Sequence, residues 1–164
     1  MLPEGYQTDR VFQMETNLDD SSPEQIGYAI QKLFEAGALD VWTTAVQMKK
    51  QRPGVVLSLL CEGTRLSLLS DLIFRETSAF GARVWEVQRI KLRRDFIQVQ
   101  TRFGPISVKR GFHGEDTLLQ LAPEYESCKV AAEKHGVPLQ EVYQAARTAA
   151  LQVREASAPF PAAL

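Results

Sequence analysis

The sequence is poor in the side chains that most often announce a chemistry. It holds two cysteines, Cys61 and Cys128, and two histidines, His113 and His135, in 164 residues. Two cysteines so far apart allow one disulfide at most and no disulfide framework, so a reducing cytoplasm is the expected location. There is no CxxC pair and no HExxH, which removes the recognisable zinc sites. There is no GxxxxGK[ST] and no GxGxxG, which removes the phosphate-binding loop and the dinucleotide fingerprint. No local signature of a Ser-His-Asp or Cys-His system accompanies the histidines, so each is first a surface or loop residue. No apolar run reaches the length of a bilayer span, and the opening MLPEGYQTDR lacks the basic and apolar regions of a signal peptide. A formal net charge of −1 gives no bulk attraction to nucleic acid or membrane. Phe96, Phe103 and Phe112 interleave with basic residues, but no RNP-like motif accompanies them, and packing is their expected role.

What remains is an ordinary soluble composition, 45% hydrophobic and 24% charged, sized for one domain or two small ones sharing a core. Residues 1–9 are polar with Pro3 and Gly5 and are expected to form a flexible arm. A strand over Arg10 to Glu15 leads into turn chemistry from Asn17 to Ser22. Ser22-Pro23-Glu24-Gln25 predicts a helix start with a serine cap, a proline at the first helical position and a capping box to Gln25. Ile26, Ile30, Leu33 and Phe34 fall at helical spacing before Gly37. Leu39 to Lys49 and Val55 to Cys61 predict a strand pair broken at Gln51-Arg52-Pro53-Gly54, followed by a helix over Gly63 to Thr77 and a strand over Arg83 to Leu92. The order β-α-β-β-α-β is that of a ferredoxin-like α+β subdomain, placed at residues 10–93. Residues 94–155 are expected to form a small β-hairpin around Phe103-Gly104-Pro105 and two helices, Pro123 to His135 and Pro138 to Glu155. A flexible tail follows at 156–164.

Three polar groupings could carry chemistry. The first is ETNLDDSSPE, where Asp19 and Asp20 precede a helix start. Carboxylates there suit Mg²⁺ or Mn²⁺, which bind through one or two carboxylates plus substrate phosphates. The bland reading is helix capping. The second is Lys49-Lys50-Gln51-Arg52 at the predicted hairpin tip, either a polyanion contact or an edge-protecting charge cluster. That tip is expected opposite the end where the first strand feeds the first helix, so contact with Asp19 inside one subunit is not guaranteed. The third is Arg89, Lys91, Arg93 and Arg94 with Lys109 and Arg110, a cationic strip that reads as a phosphate cradle or as a solvent-facing strand.

The segments ETNLDD, LFEAGALDVW, QMKKQRPG, LLCEGTR, RETSAFGAR, APEYESCK and HGVPL, in that order, resemble the LarC family over Glu15 to about Val142. The likeness is to the C-terminal part of that family, without its N-terminal domain. The resemblance implies an enzyme that inserts nickel into pyridinium-3,5-bisthiocarboxylic acid mononucleotide. Its product is the nickel-pincer nucleotide cofactor of lactate racemase. The reaction forms a nickel–carbon bond and requires CTP and Mn²⁺ or Mg²⁺. It further implies that this part binds CTP and forms a homo-oligomer, with neither nucleic acid nor membrane as partner. On that basis Asp19 and Asp20 are the expected metal residues. Lys49, Lys50, Arg52, Arg93, Arg94 and Lys109 are the expected triphosphate contacts, the groups meeting across a subunit boundary. Asn17 and Thr77 are expected ribose or base contacts. For nickel, Cys61 is expected in the core and Cys128, beside Glu124 on a polar helix, is the better candidate ligand. Without the N-terminal part, CTP binding is expected with little or no nickel insertion. The alternatives are a ferredoxin-like small-ligand-binding oligomerisation module without catalysis, and an RNA-binding domain, which the charge disfavours.

Overall fold

The computed structural model describes residues 4–157. The chain folds as two compact units, one spanning Thr8–Ile90 and the other formed by the residues up to Gln7 together with those from Lys91 on. No helix among the described residues is long and apolar enough to cross a membrane.

In the first unit, β1 (Gln7–Leu18), α1 (Pro23–Glu35), β2 (Asp40–Gln47), β3 (Pro53–Cys61), α2 (Leu66–Glu76) and β4 (Arg83–Lys91) follow the ferredoxin-like order. The sheet order is β2-β3-β1-β4, and β3 pairs antiparallel with both β1 and β2. Every second residue of β1 and β3 turns inward, as the strand period demands. Met14, Leu18, Leu57, Leu59 and Cys61 are buried on that face with Leu33 of α1 and Leu69 and Ile73 of α2. The α1 start is as its sequence prescribes. The Ser22 hydroxyl accepts from the Gln25 amide at 3.2 Å, and the Gln25 side chain accepts from the Ser22 amide at 2.9 Å. Phe34, expected at the same helical spacing, is instead exposed, because the buried face of α1 is centred on Ala29 and Leu33 and Phe34 lies about 100° further round the helix.

Gln7, Thr8 and Asp9, expected in the flexible arm, open β1. Asp9 takes two hydrogen bonds from the Arg89 guanidinium, at 3.0 and 2.7 Å, which ties the strand start to β4. The break between β2 and β3 is narrower than expected, since Pro53 and Gly54 already pair with Gln47 and Val46.

The second unit holds β5 (Arg93–Thr101), β6 (Gly104–His113) and β7 (Thr117–Pro123) in a three-stranded antiparallel sheet, followed by α3 (Tyr125–His135) and α4 (Leu139–Ser157). The expected hairpin thus gains a third strand. Pro123 ends β7 and does not start the helix, and the tail expected from 156 enters α4 before passing outside the described residues. Val99, Ile106 and Val108 pack with Cys128, Ala131, Val142 and Ala146 on the helix side of this sheet. The units part between Ile90 and Lys91, three residues before the expected boundary, and each has its own core.

Leu59 stands at 0% exposure in the first core and Val108 at 0% in the second. Leu59→Ala is expected to lower unfolding free energy by about 2–5 kcal/mol. Val108→Ala should lower it as well, by less, because it removes fewer carbon atoms. Urea denaturation of the variants reads both. A loss under 1 kcal/mol for Leu59→Ala would contradict the assigned core.

Candidate functional site

The register of β1 against β3 decides what stands beside the acidic turn. Leu18, the last residue of β1, pairs with Val55 near the start of β3. The start of β3 is also the exit of the β2–β3 hairpin. The hairpin tip therefore lies at the same sheet end as the acidic turn, and the expectation that it lies opposite is corrected. An Nη of Arg52 reaches Oδ2 of Asp19 at 3.3 Å within one chain. Gly54 allows this approach. A Cβ there would stand 2.6 Å from the Leu18 carbonyl oxygen and 3.4 Å from Asp19 Cα, so only glycine fits without moving the turn.

The tip itself is wound tightly. Lys49–Gln51 make one 3₁₀ turn, and Lys50 and Gln51 hold φ of 60° and 59°. Left-handed backbone at two consecutive residues with side chains costs on the order of 1 kcal/mol each. The loop is closed by the Met48 amide, which donates to the Arg52 carbonyl at 2.8 Å. Lys49 and Lys50 project into solvent while Arg52 folds back onto Asp19.

The loop after α2 completes this end of the sheet. The Ser78 hydroxyl hydrogen-bonds to Asp20 Oδ1, and the Ser21 and Ser78 hydroxyls lie 2.7 Å apart. The hydroxyl of Thr16, buried under the turn, donates to the Gly81 carbonyl at 2.8 Å. Asn17 accepts from Arg83 at 2.7 Å, and the same guanidinium lies 3.4 Å from Glu15. Glu15 also accepts from Gln13 and Ser58, so its carboxylate anchors a polar network on the sheet face opposite the core. Thr77 is engaged within its own helix end. Its hydroxyl donates to the Ile73 carbonyl at 2.6 Å and accepts from the Ala79 amide, which leaves no donor for a ribose or base.

Arg83 and Ser78 are the polar partners that sequence reasoning missed. The signal was available: in a β2-β3-β1-β4 sheet, β4 runs beside β1, so the loop before β4 must pass the acidic turn.

The expected cationic strip is divided between the two units. Arg89 is bound to Asp9 in the first unit, while Arg93 begins a strand of the second. Arg93 and Arg94 alternate across β5 and face opposite sides. The Arg93 guanidinium lies 4.2 Å from the Phe112 ring centre and donates to the Glu115 carbonyl. Arg94 lines a cavity of about 210 Å³ over Gly111, together with Leu92, Lys109, Gln120 and Ala122. Lys109 is paired with Glu124 at 3.1 Å. Arg110 and Asp95 form a two-bond pair at 2.7 Å, and that hydrogen bonding holds the Asp95 carboxyl below its ordinary range.

The soft ligands are withdrawn. Cys61 and Cys128 are fully buried, and burial pushes both thiols up. Cys128 as an accessible nickel ligand is therefore corrected. It shares a core stripe with Ala131 and Ala132, spaced at three and four residues along α3. His113 stacks edge-on to Tyr6 and His135 to Phe103. Among the described residues, no three His, Cys, Asp or Glu side chains converge on a point that could hold a metal.

The arrangement defines an α+β protein with a ferredoxin-like unit whose sheet end gathers charges of both signs. The chain belongs to the nickel insertion protein family, whose model matches residues 1–143. A relative from Pelobacter propionicus is 50% identical over 140 residues, 85% of this chain and 36% of that one. The pyridinium-3,5-bisthiocarboxylic acid mononucleotide nickel insertion protein of Clostridium acetobutylicum is 44% identical over 132 residues, 80% of this chain and 31% of that one. The chain thus spans about a third of the length of the curated relatives it matches. Among solved structures it is similar to LarC2, the C-terminal domain of a cyclometallase involved in the synthesis of the NPN cofactor of lactate racemase, in apo form. That match has a TM-score of 0.82 and 38% identity, over 88% of this chain and 99% of that one.

The Asp95–Arg110 pair has a defined pH signature. A carboxyl whose folded pKa is lowered stabilises fully above its unfolded value, near 3.9, and loses that contribution as pH falls through the folded value. The stability gap between wild type and Asp95→Asn should be constant from pH 7 to about 5 and close below about pH 4. Urea midpoints at successive pH values measure it; an equal gap at pH 3 and pH 7 would refute the pairing.

Proposed function

We propose that this chain is the CTP-binding part of a nickel insertion enzyme. The whole enzyme converts pyridinium-3,5-bisthiocarboxylic acid mononucleotide to the nickel-pincer cofactor of lactate racemase, forming a nickel–carbon bond at the expense of CTP. The observation that carries the reading is the meeting of Asp19, Asp20 and Arg52 at one sheet end, in a chain of the nickel insertion family. A nucleoside triphosphate with its divalent ion needs hard oxygens and cations side by side, and this sheet end supplies both without a phosphate-binding loop.

Asp19 and Asp20 would hold the Mn²⁺ or Mg²⁺ that accompanies CTP. Their donor set fits an ion that takes one or two carboxylates and completes its shell with phosphate oxygens and water. The ion offsets charge on the triphosphate. Arg52 would leave Asp19 for the phosphates, where its forked donors bind two oxygens at once. Exposed Lys49 and Lys50 add point charges, and Asn17, two residues before Asp19 on β1, would contact the ribose or base on release from Arg83. Arg94 and Lys109 would be phosphate contacts supplied by another copy of the chain, Lys109 on leaving Glu124. Arg93 is reassigned to support, because Phe112 and Glu115 hold it, and Thr77 shapes the loop. Nickel is substrate, delivered with the pincer precursor to a site completed by the N-terminal domain and by further copies of the chain in the cytoplasm.

Titration calorimetry of CTP with Mn²⁺ tests the reading. Arg52→Ala should weaken binding by about 10- to 100-fold, the worth of charge-assisted hydrogen bonds. Asp19→Ala and Asp20→Ala should abolish the dependence on Mn²⁺. Unchanged affinity in all three variants would remove the site.

A further inference from the structure

Phe80 is the most exposed large apolar side chain described, at 102% of its reference area, and nothing in the nickel-insertion reading uses it. Leaving a whole aromatic ring in water forgoes a burial that such rings normally find. A mobile loop would explain the exposure, but this loop is braced at each step. Thr77 hydrogen-bonds to Ile73 and to the Ala79 amide, Ser78 to Asp20 and Ser21, and the Gly81 carbonyl to buried Thr16. Ala79 and Ala82, on either side, pack against the first core. The backbone is thus fixed with the ring turned outward, two residues from the serine bonded to Asp20.

We infer that Phe80 is a stacking platform for the nucleobase of the nucleotide held at Asp19, Asp20 and Arg52. This rests on the site proposed above and deepens it. The charged groups bind the triphosphate, which is common to all nucleotides and to inorganic phosphates. A flat apolar ring at the rim adds affinity only for ligands that carry a planar base. Stacking is tolerant of base identity, so Phe80 supplies affinity for a nucleoside and leaves the choice of cytosine to hydrogen-bonding groups. An exposed leucine keeps the apolar character and removes the flat face.

The test compares CTP with inorganic tripolyphosphate, each with Mn²⁺, on wild type, Phe80→Leu and Phe80→Tyr. Phe80→Leu should bind CTP about tenfold more weakly. Its affinity for tripolyphosphate should not change, which also shows that the variant is folded. Phe80→Tyr should bind CTP like wild type. Equal losses for both ligands would overturn the inference and make the loop a support for the charged site. Unchanged CTP affinity with a smaller sedimenting species would overturn it in favour of a contact between copies. Failure of wild type to bind either ligand would overturn both the stacking role and the site beneath it.

Discussion

The antiparallel pairing of β1 with β3 is the constraint on which the candidate site depends. It places the end of one strand against the start of the other, and each of those points carries a loop with charge. The acidic turn leaves β1 just after Leu18, and the basic tip enters β3 just before Val55. Their meeting needs no induced movement and no second subunit. It does need Gly54, because a side chain there would collide with the Leu18 carbonyl. The same pairing buries Thr16 with its hydroxyl directed at Gly81, which draws the loop before β4 to the same end. Three separate loops are thus gathered by a single register.

The two units contribute differently. In the first, oppositely charged residues are paired at a sheet end, and a polyphosphate with a divalent ion can replace the internal partner of each. In the second, the cations are mostly committed. Arg110 is bound to Asp95, Lys109 to Glu124 and Arg93 to Phe112 and Glu115, so Arg94 alone of that strip borders the Gly111 cavity without a described partner. A cation already held in a two-bond pair gives up that pair when it binds an anion, which lowers the net gain.

Much of this was readable in the residues. Helix α1 follows from its cap and its periodic leucine and isoleucines, and the ferredoxin-like order follows from the alternation of strand and helix patterns. The third strand of the second unit was not legible. Leu118, Leu119, Gln120 and Leu121 favour helix by intrinsic preference, and only pairing with β6 makes them a strand. Cys128 misled because α3 is polar overall and hides a narrow stripe of small residues. The Asp19–Arg52 contact was implicit in the topology, since an antiparallel neighbour must bring those ends together. An expectation that puts the hairpin tip at the opposite sheet end hides it. The engagement of Thr77 and Arg93 depends on side-chain geometry that no spacing rule reports.

The proposed triphosphate site is the sheet end where Asp19, Asp20 and Arg52 meet. A crystal structure of the chain with CTP and Mn²⁺ is the decisive measurement. Mn²⁺ is expected on Asp19 or Asp20 and on phosphate oxygens, with Arg52 turned from Asp19 onto the triphosphate. Density for CTP elsewhere, with the Asp19–Arg52 pair intact, would contradict it.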